Sequence, residues 1–346
     1  MHPIDLRSDT VTLPTNEMLE AISKAELGDD VFQEDPTVNK LEHLAAKTFN
    51  KESAIFMPSG TMANLVAILT HCQRGDEVIL GDQSHTFLYE AGGISSFGGV
   101  HSRQIKNYDD GTMSLEDIKN SIRKKDVHFP PSRLVCLENT HNRCFGMPLD
   151  INYINKVSEI VKNNSMMLHV DGARIFNAAA ALNKSVAELT SEVDSVSFCL
   201  SKGLSAPSGS LLCGKKEFIE KARFNRKALG GGMRQSGILA AAGIVALNEM
   251  PKKIIKDHQN ASTLAKGLNA ISGISIDLEK VKTNIIYFKL DHSKIDSVTL
   301  INSMLKKNIK FFELGPNWFR LVTHAGINEE DIEHVLIQFK DLFSKI

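Results

Sequence analysis

Short apolar runs alternate with helix-like segments between about residues 36 and 215, and this alternation constrains the fold more than any other feature of the chain. The strand-like runs lie at 54–57, 77–80, 134–137, 166–170, 196–200 and 210–213. Helix-like segments lie between several of them, at 115–123, 151–163 and 185–190. Strands that alternate with helices predict an α/β fold, with a mainly parallel sheet of the seven-stranded type covered by helices.

The C-terminal part of the chain has a different pattern, which predicts a second unit. Helix-like segments at 238–250 and 254–271 precede strand-like runs near 284–290, 309–313 and 318–323, and further helix-like segments lie near 297–307 and 329–343. The pair Met250-Pro251 separates the two patterns. We therefore predict an N-terminal arm at 1–35, a large domain at 36–250 and a small C-terminal α+β domain at 251–346. The arm is expected to pack across the large domain or a neighbouring subunit.

Charge and hydropathy argue against nucleic acid and membranes as partners. The 40 basic and 41 acidic residues leave no net field to attract a polyanion. No apolar stretch approaches the about 18 residues that a membrane-spanning helix needs, and the N-terminus has no leader-like apolar region. The five cysteines are never spaced as CxxC. We therefore predict reduced thiols, no metal site and a cytoplasmic location.

Chemically useful side chains follow the predicted strands, at the edge of the sheet where ligands of such folds bind. Lys202 comes after the run at 196–200, where burial disfavours an ammonium ion and favours the neutral amine that attacks an aldehyde. Asp171 follows the run at 166–170, where a carboxylate can keep a pyridine nitrogen protonated. An ordinary loop lysine and a helix-capping aspartate are the alternatives for each residue alone. The pair together favours a cofactor site.

Three further segments have features that suit an anion. Ser59-Gly60-Thr61 opens a predicted helix, whose exposed N–H groups and dipole would bind a phosphate, although a simple helix cap explains it equally well. Arg234 follows a run of three glycines and offers a cation for phosphate or for an inter-subunit contact. Arg320 lies inside an apolar strand, where burial of its charge requires an anion from the protein or from a substrate.

Two histidines are candidates for proton transfer. His85 follows the strand-like run at 77–80, so its ring could stack on a cofactor or exchange protons near neutral pH. His128 lies in a charged segment that we expect to be an exposed loop. A structural role is the more common one for a lone histidine, and more so for His128.

Ordered motifs along almost the whole chain resemble the low-specificity threonine aldolases, a family of pyridoxal-phosphate enzymes with the aspartate-aminotransferase type of fold. The matching stretches follow one another in the same order as the motifs of that family. They are Asp5-Leu6-Arg7-Ser8-Asp9-Thr10-Val11-Thr12, Gly28-Asp29-Asp30-Val31, Pro58-Ser59-Gly60-Thr61, Glu138-Asn139-Thr140-His141-Asn142, His169-Val170-Asp171-Gly172-Ala173-Arg174, Leu200-Ser201-Lys202-Gly203, Gly230-Gly231-Gly232-Met233-Arg234-Gln235-Ser236-Gly237 and Arg320-Leu321-Val322-Thr323-His324.

The resemblance implies a role for each candidate residue. Lys202 would hold pyridoxal phosphate as a Schiff base, and Asp171 would pair with its pyridine nitrogen. The remaining cofactor contacts would come from Gly60 and Thr61 at the phosphate with Arg234 nearby, from His85 stacked on the ring, and from Arg174. The substrate carboxylate would be held by Ser8, Arg174 and Arg320, while His85 and His128 would face the β-hydroxyl.

The resemblance also implies an activity and an assembly. The expected reaction is the retro-aldol cleavage of L-threonine or L-allo-threonine to glycine and acetaldehyde. The expected assembly is a homotetramer with active sites at subunit interfaces. The alternatives are another enzyme of the same fold, either a β-eliminating lyase or an aminotransferase, and a non-catalytic protein that binds pyridoxal phosphate.

Overall fold

A computed structural model describes residues 3–291 and 295–345 of the chain. Its strands are β1 (Ile4–Asp5), β2 (Ser53–Met57), β3 (Glu77–Gly81), β4 (His101–Ile105), β5 (Ser132–Glu138), β6 (Met167–Asp171), β7 (Ser195–Cys199), β8 (Ser210–Gly214), β9 (Ile274–Ser275), β10 (Ile285–Leu290), β11 (Ile309–Lys310), β12 (Phe312–Gly315) and β13 (Trp318–Val322).

Its helices are α1 (Asn16–Ser23), α2 (Pro36–Phe49), α3 (Gly60–His71), α4 (His85–Leu88), α5 (Gly93–Ser96), α6 (Leu115–Ser121), α7 (Ile151–Asn163), α8 (Ile175–Leu182), α9 (Val186–Leu189), α10 (Lys216–Ala228), α11 (Gly237–Glu249), α12 (Ile254–Asn269), α13 (Ser297–Leu305) and α14 (Glu329–Ser344).

The large sheet confirms the predicted fold class. Within the described residues it has seven strands in the order β2-β8-β7-β6-β5-β3-β4. β8 is antiparallel to its neighbours β2 and β7, whereas the pairs from β7 to β4 are all parallel. β3, β7 and β8 are buried along their whole length, because helices cover the sheet on both faces. The predicted runs agree with β2, β3, β5, β6, β7 and β8 to within two residues.

β4 is the strand of this sheet that the apolar pattern does not predict. It forms one edge, where it pairs only with β3 among the described strands. Its sequence His-Ser-Arg-Gln-Ile is mostly polar, and its first four residues are exposed or half-buried. An edge strand contacts one neighbour and faces water on the other side, so burial does not select apolar residues along it.

The C-terminal strands form a smaller antiparallel sheet in the order β12-β13-β10-β9, and the predicted run at 309–313 divides at Phe311 into β11 and β12. β1 pairs in parallel with β11, through Ile4 opposite Ile309, and the carbonyl of Leu6 accepts a hydrogen bond from Val322. This part of the N-terminal arm therefore lies along the C-terminal strands. The boundaries at 35 and 250 stay predictions, and residues 1 and 2 of the arm lie outside the described residues.

The two sheets have separate apolar cores. One core lies between the large sheet and helices such as α2, α7 and α11, and includes Phe49, Phe198 and Leu211. The other lies between the small sheet and helices α12 to α14, and includes Phe288 and Phe339. In the part of the chain that the structure describes, no helix is long and apolar enough to cross a bilayer.

Candidate active site

A cavity of about 380 Å³ lies beyond the carboxyl ends of the parallel strands. The adjacent strands β6 and β5 end in Asp171 and Glu138, while Lys202 and His85 follow the ends of β7 and β3 within four residues. Of the residues singled out in the sequence, those that line the cavity are Gly60, Thr61, His85, Asp171 and Lys202. The strand order therefore brings together groups that are up to 142 positions apart in the chain, from Gly60 to Lys202.

Lys202 follows β7 in a loop whose backbone is held in place. Its carbonyl accepts hydrogen bonds from the hydroxyl of Thr12, at 3.0 Å, and from the N–H of Ser205, at 2.8 Å. The amine of Lys202 makes no hydrogen bond or ion pair with any other described residue. A lysine amine that lines a cavity without a partner is available for a covalent bond to a ligand.

Asp171 is the last residue of β6 and is almost fully buried. Its Oδ1 accepts from the N–H of Ala173, at 3.0 Å, and its Oδ2 accepts from Nδ2 of Asn64, at 2.9 Å. Neither donor carries a positive charge. A buried carboxylate with only neutral donors favours the approach of a cationic group, and a protonated pyridine nitrogen is one.

His85 begins α4 and is linked to Glu90. The backbone N–H of His85 donates to Oε2 of Glu138, at 2.7 Å, and Nδ1 of its ring lies 2.9 Å from Oε1 of Glu90. Burial lowers the pKa of His85, but the hydrogen bond that its ring donates to Glu90 and the charge of Asp171 raise it overall. Burial and the charge of Asp171 also raise the pKa of Glu90. Both shifts favour retention of one proton that His85 and Glu90 share.

The first turn of α3 forms one wall of the cavity. Ser59 caps the helix, and its hydroxyl accepts from the N–H of Met62 at 3.2 Å. The N–H groups at Gly60 and Thr61 have no partner inside the helix and so can bind an anion. A Cβ at Gly60 would lie 2.8 Å from Sγ of Cys199 at the end of β7. Only glycine therefore lets the start of this helix pack so closely on the strand that leads to Lys202.

Arg174 is buried beside the cavity and is paired with Asp9. Its Nε and Nη2 donate to the two carboxylate oxygens of Asp9, at 2.8 and 2.7 Å. Burial alone would raise the pKa of Asp9, but Arg174, assisted by Lys202 and Arg320, lowers it to about 2. Burial likewise opposes the charge of Arg174, and Asp9 raises the pKa of that guanidinium. The pair fixes the guanidinium plane and leaves hydrogens on Nη1 and Nη2 for a second anion.

Arg320, on β13, lies next to Arg174, and Asn142 bridges them. Oδ1 of Asn142 accepts from Nη1 of Arg320 at 2.8 Å and from Nη1 of Arg174 at 3.4 Å. Burial and the charge of Arg174 lower the pKa of Arg320. Its Nε is buried and has no hydrogen-bond partner among the described residues. Two buried guanidiniums with donors to spare are suited to a carboxylate.

Ser8 precedes this pair of arginines in the chain. Its hydroxyl lies 3.4 Å from Oδ1 of Asp9 and accepts from the N–H of Thr10 at 3.2 Å. Arg174 and Ser8 both contact Asp9, and Asn142 links Arg174 to Arg320. This group of residues lies next to the cavity, which Thr10 and Thr12 help to line.

Comparison with known proteins identifies the family. A family model described as beta-eliminating lyase matches residues 5–291. The chain is 47% identical over 344 residues to low-specificity L-threonine aldolase 1 of Arabidopsis thaliana, which covers 98% of this chain and 96% of the relative. It is 42% identical over 342 residues to the low specificity L-threonine aldolase of Escherichia coli O157:H7, with 99% of this chain and 100% of the relative covered. The chain belongs to the low-specificity L-threonine aldolase family.

Membership of this family makes the chain a pyridoxal-phosphate-dependent lyase. The fold agrees with a solved structure of Leishmania major threonine aldolase, with a TM-score of 0.85 and 19% identity over 99% of this chain and 100% of that one. The cavity fits the cofactor of the family in three respects. It contains an unpartnered lysine amine, a buried carboxylate with neutral donors and a helix N-terminus that begins at a glycine.

Two residues that the family resemblance assigns to the site lie away from this cavity within one chain. Arg234 is exposed, and its Nη1 donates to Oδ2 of Asp29 at 2.7 Å. His128 is exposed and its Nδ1 lies 2.7 Å from Oδ1 of Asp126. The loop of His128 leads into the amino end of β5, whereas the cavity lies at the carboxyl ends. The structure of one chain therefore brings neither residue to the site.

Three polar residues of the site were not singled out from the sequence. Asn64 lies on α3, one turn after Gly60, and is a polar residue in an apolar helix, which is a signal that the sequence does contain. Asp9 lies within the first matching motif but has no local feature that predicts its partner, Arg174. Glu90 follows the short helix α4 and is recognisable only from its contact with His85.

Proposed function

We propose that this aldolase cleaves L-threonine and L-allo-threonine to glycine and acetaldehyde, with Lys202 as the residue that binds pyridoxal phosphate covalently. The observation that carries the proposal is the meeting of the Lys202 amine, the Asp171 carboxylate and the N-terminus of α3 in one cavity. When bound, the cofactor supplies an electron sink for the electrons of the Cα–Cβ bond. Curated relatives named as threonine aldolases support this choice over an aminotransferase.

Arg174 and Arg320 would hold the substrate carboxylate, with Ser8 as a further hydrogen-bond donor. Two fixed cations would define the direction of the bond from the substrate carboxylate to Cα. The amino group of the substrate, held near Lys202, would fix a second direction. A substrate held at both points would keep one orientation in the cavity while its Cα–Cβ bond is broken. Asp9 and Asn142 contribute by holding the arginines in place.

His85 would remove the proton of the β-hydroxyl as the aldehyde leaves. It lines the cavity, and Glu90 at 2.9 Å can share the proton that His85 receives. A positioned base of this kind contributes about 10²–10⁴ in rate. The ring of His85 would also stack on the cofactor, with Gly60 and Thr61 binding its phosphate.

Arg234 and His128 would act on the site of another subunit in a homotetramer. Apolar side chains are exposed beside Arg234, among them Phe32, whose ring centroid lies 6.0 Å from the guanidinium. Leu13 and Leu27 are also exposed on the same arm. Burial of these side chains against a second copy would supply part of the association energy.

We also infer a cytoplasmic location, because the five cysteines are buried free thiols.

The test is product analysis with both threonine diastereomers. Release of glycine and acetaldehyde in equal amounts supports the proposal, whereas formation of a keto acid would identify an aminotransferase instead. Lys202→Ala should abolish both the turnover and the visible absorbance of the lysine-bound cofactor. Persistence of that absorbance in Lys202→Ala would show that another residue holds the cofactor.

The assignment of the base has its own test. His85→Asn should reduce kcat by about 10²-fold or more and leave the absorbance of the bound cofactor in place. Near-normal turnover in this variant would remove His85 from the role of base. His43→Asn serves as the matched comparison, because that ring is exposed on α2 and is not among the residues that line the cavity.

A further inference from the structure

A line of hydrogen bonds, buried except at its far end, runs from Asp171 through the sheet, away from the cavity. Nδ2 of Asn64 lies 2.9 Å from Oδ2 of Asp171, and Oδ1 of Asn64 lies 3.3 Å from Nε2 of His169. Nδ1 of His169 lies 2.9 Å from the hydroxyl of Ser195, which lies 2.7 Å from Nε2 of His71. His71 lines a second cavity, at the amino ends of β6 and β7.

The direction of each hydrogen bond follows from the two carboxylates at one end. Nδ2 of Asn64 faces both Asp171 and Oε1 of Glu90, at 2.9 and 2.8 Å, so the amide must present its two hydrogens to them. Oδ1 of Asn64 therefore accepts, from the hydroxyl of Ser197 at 2.7 Å and from Nε2–H of His169. Asn64 is 2% exposed, so water cannot replace these partners.

The remaining groups then have one consistent arrangement. His169 carries its hydrogen on Nε2, and its Nδ1 accepts from the hydroxyl of Ser195. The oxygen of Ser195 in turn accepts from Nε2–H of His71. Burial lowers the pKa of His169 to about 4, and burial together with His169 lowers that of His71 to about 3. Both rings are neutral near pH 7, with one hydrogen each.

This arrangement aims a series of neutral donors at Asp171. The end of each donor with the positive partial charge points toward the carboxylates, which offsets part of the cost of burying them. Because the donors are neutral, they do not compete with a cationic ring nitrogen for the charge of Asp171. Asn64 also gives one hydrogen to each carboxylate, and so holds Asp171 and Glu90 in separate positions.

We propose that Asn64 is a positioning residue for the cofactor, and that His169, as the Nε2–H tautomer, holds Asn64 in the orientation in which it donates to Asp171. Asp171 is thereby kept an oriented carboxylate that faces the pyridine nitrogen. The inference rests on the proposed role of Asp171 toward that nitrogen.

The test compares the binding of two cofactors to the apoenzyme of the full chain. The probes are pyridoxal phosphate and its 1-deaza analogue, in which a carbon replaces the pyridine nitrogen. The wild-type protein should bind pyridoxal phosphate more tightly than the analogue. Asn64→Leu keeps the branched shape and removes the donors. It should reduce the ratio of the Kd of the analogue to the Kd of pyridoxal phosphate about tenfold, which is the size usual for a residue that orients another residue in contact with the ligand.

His169 offers a conservative variant that separates orientation from packing. His169→Phe keeps the ring without its N–H, so the ratio should fall in the same direction but by less than in Asn64→Leu. His169→Gln places an amide N–H at the position of Nε2 and should restore the ratio. Ser158→Ala is the control, because it removes a buried hydrogen bond to the carbonyl of Glu192, 2.7 Å away, outside this line of groups.

Three outcomes would contradict the inference. An equal loss of affinity for both cofactors in Asn64→Leu would mean that Asn64 only supports the fold. A wild-type protein with no preference for pyridoxal phosphate would overturn the role of Asp171 and this inference with it, while release of glycine and acetaldehyde would still support the aldolase activity. Neutron diffraction gives a direct check, since a deuterium on Nδ1 of His169 would reverse the direction of the hydrogen bonds.

Discussion

Asp9 determines how Arg174 is placed to hold a substrate carboxylate. The two residues are buried and joined by two hydrogen bonds of 2.8 and 2.7 Å. Because Asp9 engages Nε and Nη2, the guanidinium cannot rotate, and its remaining hydrogens point in fixed directions. A carboxylate of the protein thus orients the cation that would bind the carboxylate of the substrate.

Asp9→Asn should weaken both the fold and the binding of threonine. Removal of one partner of a buried ion pair leaves an uncompensated charge and costs about 3 kcal/mol in the free energy of unfolding. The KM for threonine should rise more than kcat falls, because Arg174 loses its orientation. Denaturant unfolding and steady-state kinetics measure the two effects.

The pH dependence and a control make this prediction specific. The pKa of Asp9 is about 2 in the folded protein and 3.8 for a free aspartate, so its contribution is complete above pH 5 and is lost as the pH falls toward 2. The stability difference between wild type and Asp9→Asn should therefore stay constant from pH 8 to 5. Glu42→Gln breaks the pair of Glu42 with Arg223 outside the cavity, and should lower stability without a change in KM.

At the scale of elements, α3 carries two separate functions on one turn and a half of helix. Its N–H groups at Gly60 and Thr61 face the cavity, and Asn64 faces Asp171 and Glu90. The close packing of Gly60 on β7 fixes both at once. A shift of this helix would therefore move the phosphate site and the support of Asp171 together.

Ser59→Ala should lower the affinity for pyridoxal phosphate, and Ser114→Ala should not. Each serine caps a helix through a hydroxyl that lies 3.2 Å from a backbone N–H, at Met62 in α3 and at Asp117 in α6. Each substitution removes a cap worth about 1 kcal/mol, so the stability losses should be similar. Titration of the apoenzyme with cofactor measures the affinity. Equal affinities in the two variants would mean that the start of α3 does not bind the phosphate.

At the scale of the whole molecule, three buried or half-buried histidines should make the fold sensitive to acid. Burial lowers the pKa values of His71, His169 and His258 to about 3, 4 and 4, with His169 contributing to the shift of His71. Between pH 6.5 and 4 the unfolded chain binds these protons and the folded chain does not, so stability falls as the pH falls. Each histidine should cost about 2 kcal/mol between pH 7 and 5. Asp257 acts in the opposite direction, because burial and Asp9 raise its pKa to about 7.

His258→Gln isolates one of these contributions. The variant should lose about 2 kcal/mol less stability than wild type between pH 7 and 5, because no ring has to take up a proton on unfolding. Denaturant unfolding at a series of pH values measures this. His43→Gln is the control, since that ring is exposed, and an identical pH dependence in the two variants would contradict the prediction.

Complementation tests whether the active site is shared between subunits. Lys202→Ala and Arg234→Ala should each be inactive or nearly so alone. When the two variants are dissociated and reassembled together, a mixed pair has one site with both Lys202 and Arg234, so activity should return. The activity should not return if Arg234 acts at the cavity of its own chain, or if it acts at no cavity. Light scattering of the wild-type protein measures the number of subunits.

Most of the buried strands, several of the helices and the chemistry at the strand ends could be predicted from the sequence. Burial selects apolar residues at each buried strand, so β3, β6 and β7 are visible as runs, and the polar residues that follow them, such as Asp171 and Lys202, mark the binding edge. The exposed edge strand β4 has no such pattern and could not be predicted in this way. The family motifs added the cofactor and the expected substrate.

Which side chains meet could be learned only from the folded chain. Asp9 and Arg174 are 165 positions apart, and Asn64 and Asp171 are 107 apart. A local pattern records whether a residue is buried but not its neighbour, because the neighbour depends on strand order and on how the helices pack. For the same reason Arg234 and His128, which the motifs assign to the site, lie outside the cavity of a single chain. The sequence marks single residues at the ends of separate strands. The contacts between those residues depend on the order in which the strands lie in the sheet.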